Sequence, residues 1–250
     1  MNQIPAVELC DVYKCYGNST ILEPLNVSIT PGETIAIAGP SGAGKTTLLR
    51  IIAGSLAPDD GRVFLLGNDL SEMRPGKQLS RSIGMIAQQF DLVPNLSALQ
   101  NVMAGRLGEW SIWKSLVSLI SPRDREVGYN ALKRVGVLDR AHIRASRLSG
   151  GEQQKIALAR ALTAEPEILL LDEPLAALDA AAKKSIRSYL TTHLQERNGP
   201  SIVVSHDARD VMSLGAEVCV IEHGQIVQRG SADTLRANPK TEFIEAFFEA

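Results

Sequence analysis

A glycine-rich segment at residues 39–47 constrains the fold of this 250-residue chain more than any other feature. The segment fits the phosphate-binding pattern G-x-x-x-x-G-K-[ST]. Its fixed positions are occupied by Gly39, Gly44, Lys45 and Thr46. Residues 34–38 before it predict a buried strand, and residues 45–53 after it predict a helix with an apolar face. The sequence therefore predicts a strand, a phosphate-binding turn and a helix start in succession.

Such a loop binds a polyphosphate mainly through its main chain. Glycines let several N–H groups point inward, and the helix N-terminus adds partial positive charge. We expect Lys45 to lie against the β- and γ-phosphates and the Thr46 hydroxyl to ligate Mg²⁺. The residues expected to surround the phosphates are Gly39, Pro40, Ser41, Gly42, Ala43, Gly44, Lys45, Thr46 and Thr47.

Composition and charge narrow the classes of partner. A formal net charge of -2 with 22% charged residues gives no basic field for nucleic acid. Three cysteines without a C-x-x-C pair fit a reducing compartment better than a disulfide scaffold. We see no N-terminal signal region and no apolar run near the roughly 20 residues that span a bilayer. We therefore expect a soluble, cytosolic chain whose membrane role depends on a partner.

The order of the predicted elements indicates an α/β fold. Residues 7–32 predict short antiparallel strands around a turn at Gly17-Asn18, and strands alternate with helices after residue 166. This alternation predicts a mostly parallel sheet with right-handed crossovers. We expect one domain, with residues 1–89 and 166–250 forming the α/β core and its antiparallel layer. Residues from about 90 to 165 then form an inserted helical subdomain.

Three local predictions can be compared with the structure. Asp59-Asp60-Gly61 predicts a hairpin, and Trp110 with Trp113 predicts the apolar face of a helix. Asn238-Pro239 is expected to cap a last helix whose phenylalanines dock on the core, with docking on another protein as the open alternative.

Polar residues follow two of the predicted core strands. Asp172 ends an apolar strand and is the expected Mg²⁺ partner of Thr46. Adjacent carboxylates repel each other, so we expect Glu173 to act instead as the base that orients and deprotonates water. His206 follows the strand at residues 201–205 and is expected to donate a hydrogen bond to the γ-phosphate.

A second anion site is predicted at residues 148–154. Ser149 and two glycines precede a strongly predicted helix, so Ser149 is either an ordinary N-cap or part of a phosphate site. Two phosphate-binding helix starts far apart in one chain suggest that each serves a different ATP.

These motifs resemble, in their order, those of the nucleotide-binding subunit of an ABC transporter, over nearly the whole chain. The matching motifs are residues 39–47 (Walker A), Gln88 (Q-loop), residues 148–153 (signature), residues 168–173 (Walker B and catalytic glutamate), Leu178-Asp179 (D-loop) and His206 (switch histidine). Walker A occurs in many NTPases, whereas its combination with L-S-G-G is close to unique to this family. Tyr16 alone would be assigned to covering a sheet edge, but the resemblance favours stacking on adenine.

The resemblance implies ATP as the nucleotide and assigns roles to the matching residues. Glu173 is the base, Lys45 and His206 contact phosphate, and Gln88 contacts the metal or water. Mg²⁺ ligands are implied at Thr46, Asp172 and Gln88.

The resemblance also implies partners and a location. Ser149 and Gly151 are implied at the γ-phosphate of ATP bound to the opposite subunit, and Gly150 and Asp179 are also implied to bind ATP. The active unit is then a head-to-tail dimer of two copies with ATP between them. Permease subunits, and indirectly a solute-binding protein, are the further partners. Through the permease subunits, the chain is implied to lie peripherally on the cytoplasmic side of the inner membrane.

Within the family, residues 88–116 are similar to the phosphonate and phosphite importer ATPases, which carry a similar G-R-L-G segment before a tryptophan-containing helix. The sequence departs from the usual pattern at Ala87, where an aromatic is common. Glu152 and Lys155 replace the more common Gln and Arg, and Gln89 beside Gln88 leaves the choice of functional glutamine open.

Three alternatives stay open at the level of sequence. An exporter or lipid-extracting ABC ATPase would keep the fold and the chemistry. A nucleic-acid-associated ABC ATPase would be expected to carry coiled-coil, zinc or tandem modules, which this sequence lacks. A small-molecule P-loop kinase would share the phosphate loop but would not be expected to contain the L-S-G-G motif.

Overall fold

Within the described part of the chain, the strands form two β-sheets, one of four strands and one of six. The computed structural model describes residues 4–73, 79, 82–87, 90–106, 122–214 and 217–249. The strands are β1 (Val7–Tyr16), β2 (Ser19–Ile29), β3 (Thr34–Ala38), β4 (Asp60–Leu65), β5 (Asn68–Asp69), β6 (Ile83–Ile86), β7 (Ile168–Asp172), β8 (Ser201–Val204), β9 (Glu217–Glu222) and β10 (Gln225–Ser231). The α-helices are α1 (Lys45–Ile52), α2 (Ala98–Ala104), α3 (Pro122–Arg134), α4 (Gly150–Thr163), α5 (Ala180–Glu196), α6 (Ala208–Ser213), α7 (Ala232–Ala237) and α8 (Glu242–Glu249).

The six-stranded sheet has the order β10-β9-β3-β8-β7-β6. Strands β9, β3, β8, β7 and β6 are parallel, and β10 is an antiparallel edge. Alternate residues of β7 enter two different apolar cores, with Leu169 and Leu171 in one and Ile168 and Leu170 in the other. A strand buried on both faces needs apolar side chains throughout, which is why its sequence is an unbroken apolar run. The predicted parallel sheet is confirmed.

The second sheet has the order β2-β1-β4-β5 and forms the predicted antiparallel layer. Its first two strands meet at the predicted Gly17-Asn18 turn, but both are longer than the sequence pattern indicated. The predicted hairpin at residues 59–61 is wrong. The structure instead shows β4 beginning at Asp60, after a helix and a loop, and pairing with the distant strand β1. The Asp59 carboxylate accepts a hydrogen bond from the Lys14 ammonium at 2.7 Å, which ties this segment to β1.

Helices α2, α3 and α4 pack against one another and contribute to the larger core. Leu99 and Val102 of α2 are buried there, together with Leu132 of α3 and Ile156 of α4. The helix face predicted around Trp110 and Trp113 lies outside the described residues. Among the helices that are described, none combines the length and apolar character needed to cross a bilayer.

The C-terminal segment contains two helices where one was predicted. Ser231 caps the unpredicted α7, its hydroxyl accepting from the Thr234 amide at 3.2 Å. The predicted cap at Asn238-Pro239 is wrong because Asn238 ends α7, and the Thr241 hydroxyl accepts from the amide of Ile244 in α8 at 3.3 Å. Packing of α8 on the core is confirmed. Its buried side chains are Ile244, Phe247 and Phe248.

Candidate active site

The carboxyl ends of three neighbouring strands bring the predicted residues together. Strand β3 lies beside β8, with Ile37 opposite Val204, and it runs directly into the phosphate loop. Strand β8 lies beside β7, with Val204 opposite Asp172. Parallel strands end at the same edge of a sheet, so the phosphate loop, the end of β7 and His206 after β8 are neighbours.

The phosphate loop adopts backbone conformations that require glycine. Gly39 has φ 154° and Gly44 has φ 97°. A β-carbon at Gly39 would lie 2.1 Å from the carbonyl oxygen of Ile221, and one at Gly44 would lie 2.8 Å from that of Ile21. Both positions therefore exclude side chains by conformation and by space. The loop leads into α1, whose free N–H groups point toward the loop.

Lys45 is anchored to its own loop. Its ammonium donates to the carbonyl oxygens of Gly39 at 2.7 Å and Pro40 at 2.8 Å. Burial lowers the pKa of Lys45, whereas the nearby carboxylates of Glu173 and Asp172 raise it and favour the charged form. The loop thus presents a fixed ammonium at its centre.

Tyr16 ends β1 and lies at the open side of the same loop. Its side chain is 51% exposed, and the Lys14 ammonium lies 5.7 Å from its ring centroid. It borders a cleft of about 270 Å³. The other lining residues are Ile21, Gly42, Ala43, Gly44, Lys45, Thr46 and Thr47. An exposed aromatic face beside a phosphate loop can stack on a flat heterocycle.

Asp172 at the end of β7 has a carboxylate that is suited to a cation. The residue is 2% exposed, and its Oδ2 atom has no hydrogen-bond partner. Burial raises the pKa of Asp172, while a hydrogen bond with Thr46 and the Lys45 charge lower it. A buried carboxylate oxygen beside a hydroxyl is a donor set that fits Mg²⁺. Within the described residues no group of three or more His, Cys, Asp or Glu side chains could hold a metal.

Glu173 and His206 form a pair beside the loop. The Nδ1 atom of His206 lies 2.5 Å from Oε2 of Glu173. Burial raises the pKa of Glu173, and His206 opposes this by favouring the charged carboxylate. A buried glutamate with a raised pKa is a better proton acceptor than an exposed one, and the histidine fixes its orientation.

A cleft of about 370 Å³ connects this pair to the phosphate loop. Its lining comprises Gly39, Pro40, Ser41, Lys45, Glu173, Ala176, His206, Phe243 and Phe247. The two phenylalanine rings are stacked with centroids 5.6 Å apart. The cleft therefore combines a phosphate-binding wall, an acid–base pair and an apolar wall.

The predicted second anion site lies elsewhere. Ser149 caps α4 in a capping box with Glu152, in which its hydroxyl accepts from the Glu152 amide at 3.3 Å. Asp179 caps α5, with Oδ1 accepting from the Ala182 amide at 2.9 Å. Ser149, Gly150 and Asp179 are exposed and line neither of the two clefts described above.

The sequence model described as "ABC transporter" matches residues 22–176. The chain belongs to the ABC transporter family. It is an ATP-binding cassette, an ATPase of the kind that drives transport. The predicted resemblance and the predicted fold class are both confirmed.

Named relatives of this ABC cassette include importer subunits. It is 40% identical over 224 residues to the "Phosphonates import ATP-binding protein PhnC" of Lactococcus lactis subsp. cremoris, covering 88% of this chain and 91% of that protein. It is 38% identical over 237 residues to the "Probable sulfate/thiosulfate import ATP-binding protein CysA" of Chlorella vulgaris, covering 95% of this chain and 96% of that one.

Solved structures of ABC cassettes have the same fold. The cassette MJ0796, described as dimeric, in a post-hydrolysis state and bound to ADP and Pi, superposes with a TM-score of 0.81 at 30% identity. The match covers 90% of this chain and 98% of that one.

Most of the site residues predicted from the sequence lie at one edge of the six-stranded sheet, and others lie away from it. The loop residues 39–47, Tyr16, Asp172, Glu173 and His206 border the two clefts or lie directly beside them. The signature residues 149–151 and Asp179 do not. Gln88 and Gln89 lie outside the described residues, so the choice between them stays a prediction.

Two aromatic cleft residues of the cassette were missed at the sequence level. Phe243 and Phe247 lie about seventy residues after Glu173 in the chain, yet they line the cleft that contains it. Their helical spacing indicated only a packed helix. No sequence signal connects that helix to the phosphate loop.

Proposed function

We propose that this cassette hydrolyses ATP to energise import of an oxyanion, most simply a phosphonate. The names of the relatives support import, and phosphonate and sulfate are both tetrahedral oxyanions. The observation that carries the hydrolytic role is the contact between Glu173 and His206 beside Lys45.

Each residue of the cleft has a role in this proposal. Lys45 binds the β- and γ-phosphates while it remains anchored to its loop. Glu173 orients the attacking water and takes its proton as the γ-phosphate is transferred. His206 holds the Glu173 carboxylate and contacts the γ-phosphate. Tyr16 stacks on the adenine ring at the other end of the loop.

Thr46 and Asp172 would hold Mg²⁺, because the unpartnered Oδ2 of Asp172 is a buried oxygen donor close to the Thr46 hydroxyl. The ion would supply positive charge against the phosphate oxygens. Gln88 completes the set in this proposal.

We place the second half of each ATP site on another copy of the chain. Ser149 and Gly150 are exposed at a helix start and line neither cleft of their own chain. A helix N-terminus of this kind suits the γ-phosphate of ATP bound to a partner. The description of the similar cassette MJ0796 as dimeric supports the pairing of two copies. Asp179 would lie at this interface.

Permease subunits are the proposed membrane partners, and they would hold the cassette at the cytoplasmic face. A third cleft, of about 390 Å³, is a candidate surface for them. Its lining residues are Phe90, Asp91, Leu92, Pro94, Ala145, Ser146 and Gln153. A contact there would reach both the segment after Gln88 and the start of α4. A solute-binding protein would deliver the oxyanion to the permease.

Substitution of Glu173 by Gln tests the hydrolytic role. We expect the hydrolysis rate to fall by a factor of about 10² to 10⁴ while ATP still binds, because the base is lost and the fold is retained. Size-exclusion chromatography with ATP should show a trapped dimer. Glu167→Gln is the matched control, since this exposed glutamate lies at the opposite end of β7. Unchanged hydrolysis in Glu173→Gln would remove Glu173 as the base.

The substrate is tested in the complete transporter. The ATPase rate of the cassette with its permease in vesicles is measured with solute-binding protein carrying methylphosphonate or sulfate. Stimulation by methylphosphonate alone supports the phosphonate assignment, and stimulation by sulfate alone replaces it with sulfate import. Activity that needs neither the binding protein nor an oxyanion would favour an exporter.

A further inference from the structure

Gln154 of α4 is a buried polar side chain that uses both ends of its amide. It is 2% exposed. Its Nε2 atom donates to the carbonyl oxygen of Glu173 at 2.8 Å, and its Oε1 atom accepts from the amide of Ala177 at 2.8 Å. One side chain therefore holds both ends of the short loop that follows β7.

The backbone at the start of this loop needs such support. Glu173 has φ 52°, in the left-handed region that residues with a β-carbon disfavour. Its amide donates to the carbonyl oxygen of Val204 at 3.0 Å. The main chain of Glu173 is thus held by β8 on its N–H side and by Gln154 on its carbonyl side.

The packing around Gln154 limits how far this loop can move. A β-carbon on Gly151, one turn earlier in α4, would lie 3.1 Å from the carbonyl oxygen of Ala177. The first turns of α4 therefore lie directly against the loop. The Gln154 amide is buried, so losing its hydrogen bonds leaves the carbonyl of Glu173 less restrained.

We propose that Gln154 is a positioning residue for ATP hydrolysis. It fixes the left-handed backbone of Glu173 so that the carboxylate meets His206 and faces the γ-phosphate end of the cleft. This inference rests on the proposed role of Glu173 as the base. Gln154 itself touches neither the cleft nor, in our proposal, the nucleotide.

Gln154→Ala and Gln154→Glu test the proposal in the full-length protein. Alanine removes both hydrogen bonds, and glutamate keeps the acceptor for Ala177 but sets a carboxylate against the carbonyl of Glu173. For both variants we expect kcat to fall by about 10- to 100-fold, because small displacements of a catalytic group are costly. KM for ATP should stay within about threefold, since the phosphate loop is untouched.

Gln228→Ala is the matched control. Gln228 is 9% exposed, donates to the carbonyl oxygen of Asn238 at 3.0 Å and accepts from the amide of Lys240 at 3.0 Å. It makes the same kind of main-chain clamp without touching the loop of Glu173. Its loss should lower the melting temperature much as Gln154→Ala does, but leave kcat within about twofold.

A double variant separates positioning from general destabilisation. In a Glu173→Gln background, Gln154→Ala should cause no further loss of hydrolysis, because the group that it positions is already gone. A normal kcat in both Gln154 variants would overturn the proposal, as would equal losses of kcat in Gln154→Ala and Gln228→Ala. If Glu173 is not the base, the proposed function fails, and the single variant Glu173→Gln then hydrolyses ATP at the normal rate.

Discussion

Asp172 and Glu173 are adjacent in sequence but meet different surroundings. Asp172 continues the extended strand and ends in a buried position with one unpartnered oxygen. Glu173 turns into the left-handed region, and its carboxylate meets His206. The two carboxylates therefore have different partners. This difference supports the proposed division between metal ligand and base.

Asp172→Asn should stabilise the nucleotide-free protein. The pKa of Asp172 is raised by burial above its ordinary value of 3.8. The folded protein therefore holds this proton more tightly than the unfolded chain, and stability is lost as pH rises through the raised pKa. Removing the charge should add about 1–3 kcal/mol to the unfolding free energy at about pH 8, and less at about pH 3, where the carboxyl group is protonated in the folded and the unfolded chain alike. Urea unfolding at the two pH values measures this.

The same variant should lose the additional stabilisation that Mg²⁺ gives to the protein with ATP, if Asp172 holds the ion. In the urea experiment without nucleotide, an equal gain in unfolding free energy at both pH values would show that loss of the ionised Asp172 carboxylate is not what stabilises the variant.

At the residue scale, the sequence identified groups that react but not groups that position them. Lys45, Asp172 and His206 each follow a recognisable strand or loop signal, and parallel register then brings them together. The hydrogen bonds from Gln154 to the loop of Glu173 have no such signal, because they depend on how a helix packs against a loop nineteen residues away in the chain.

Helix α4 connects several parts of the cassette. Its cap Ser149 is exposed, Gln154 holds the loop of Glu173, and Arg160 holds the segment after Gln88. The Arg160 guanidinium donates to the carbonyl oxygens of Asp91 at 2.6 Å and Phe90 at 2.9 Å. A displacement of this helix would therefore reach three segments to which we assign functions in the proposal.

Two substitutions at Ser149 should separate capping from nucleotide contact. Ser149→Ala removes the side-chain acceptor for the Glu152 amide and should lower the unfolding free energy by about 1 kcal/mol. Ser149→Asn retains a good cap and should be close to the natural protein in stability. Chemical denaturation measures both.

If Ser149 also contacts the partner's ATP, both variants should weaken ATP-driven dimerisation in the Glu173→Gln background. Full dimerisation of the stable Ser149→Asn variant would limit Ser149 to its capping role.

Element positions were predictable where periodicity and caps agreed. Strand β3, helix α1 and the Ser149 cap all satisfy local signals, and the structure has them where the sequence indicated. The Asp59–Gly61 segment was misread as a hairpin turn. An aspartate-glycine pair can also lie at the start of a strand, as it does here in β4, which pairs with a distant strand. Helix α7 was missed because six residues are too short to display a helical period.

At the scale of the whole molecule, the chain displays two sets of features that we propose bind phosphate, and the two sets do not meet. The phosphate loop lies at the edge of the parallel sheet, and the capped start of α4 is exposed away from both clefts. The sequence predicted that these two features lie apart only because many residues separate them in the chain. Pairing with a second copy is the arrangement in which both sets could bind the same ATP.

Specific ATPase activity should therefore rise with protein concentration. A monomer can bind ATP through its own loop, but it lacks the opposing Ser149 and should hydrolyse poorly. Steady-state rates over a dilution series, with light scattering to measure the dimer fraction, provide the measurement. A diluted monomer that retained full specific activity would contradict the shared site.

The anchoring of Lys45 affects how its substitution should be interpreted. An ammonium has three donors, and two of them already bind the carbonyl oxygens of Gly39 and Pro40. Lys45 thus supports the loop and, in our proposal, also contacts phosphate. A Lys45→Ala variant would relax the loop and remove the phosphate contact together. Its loss of ATP affinity would therefore exceed the contribution of a single lysine–phosphate interaction.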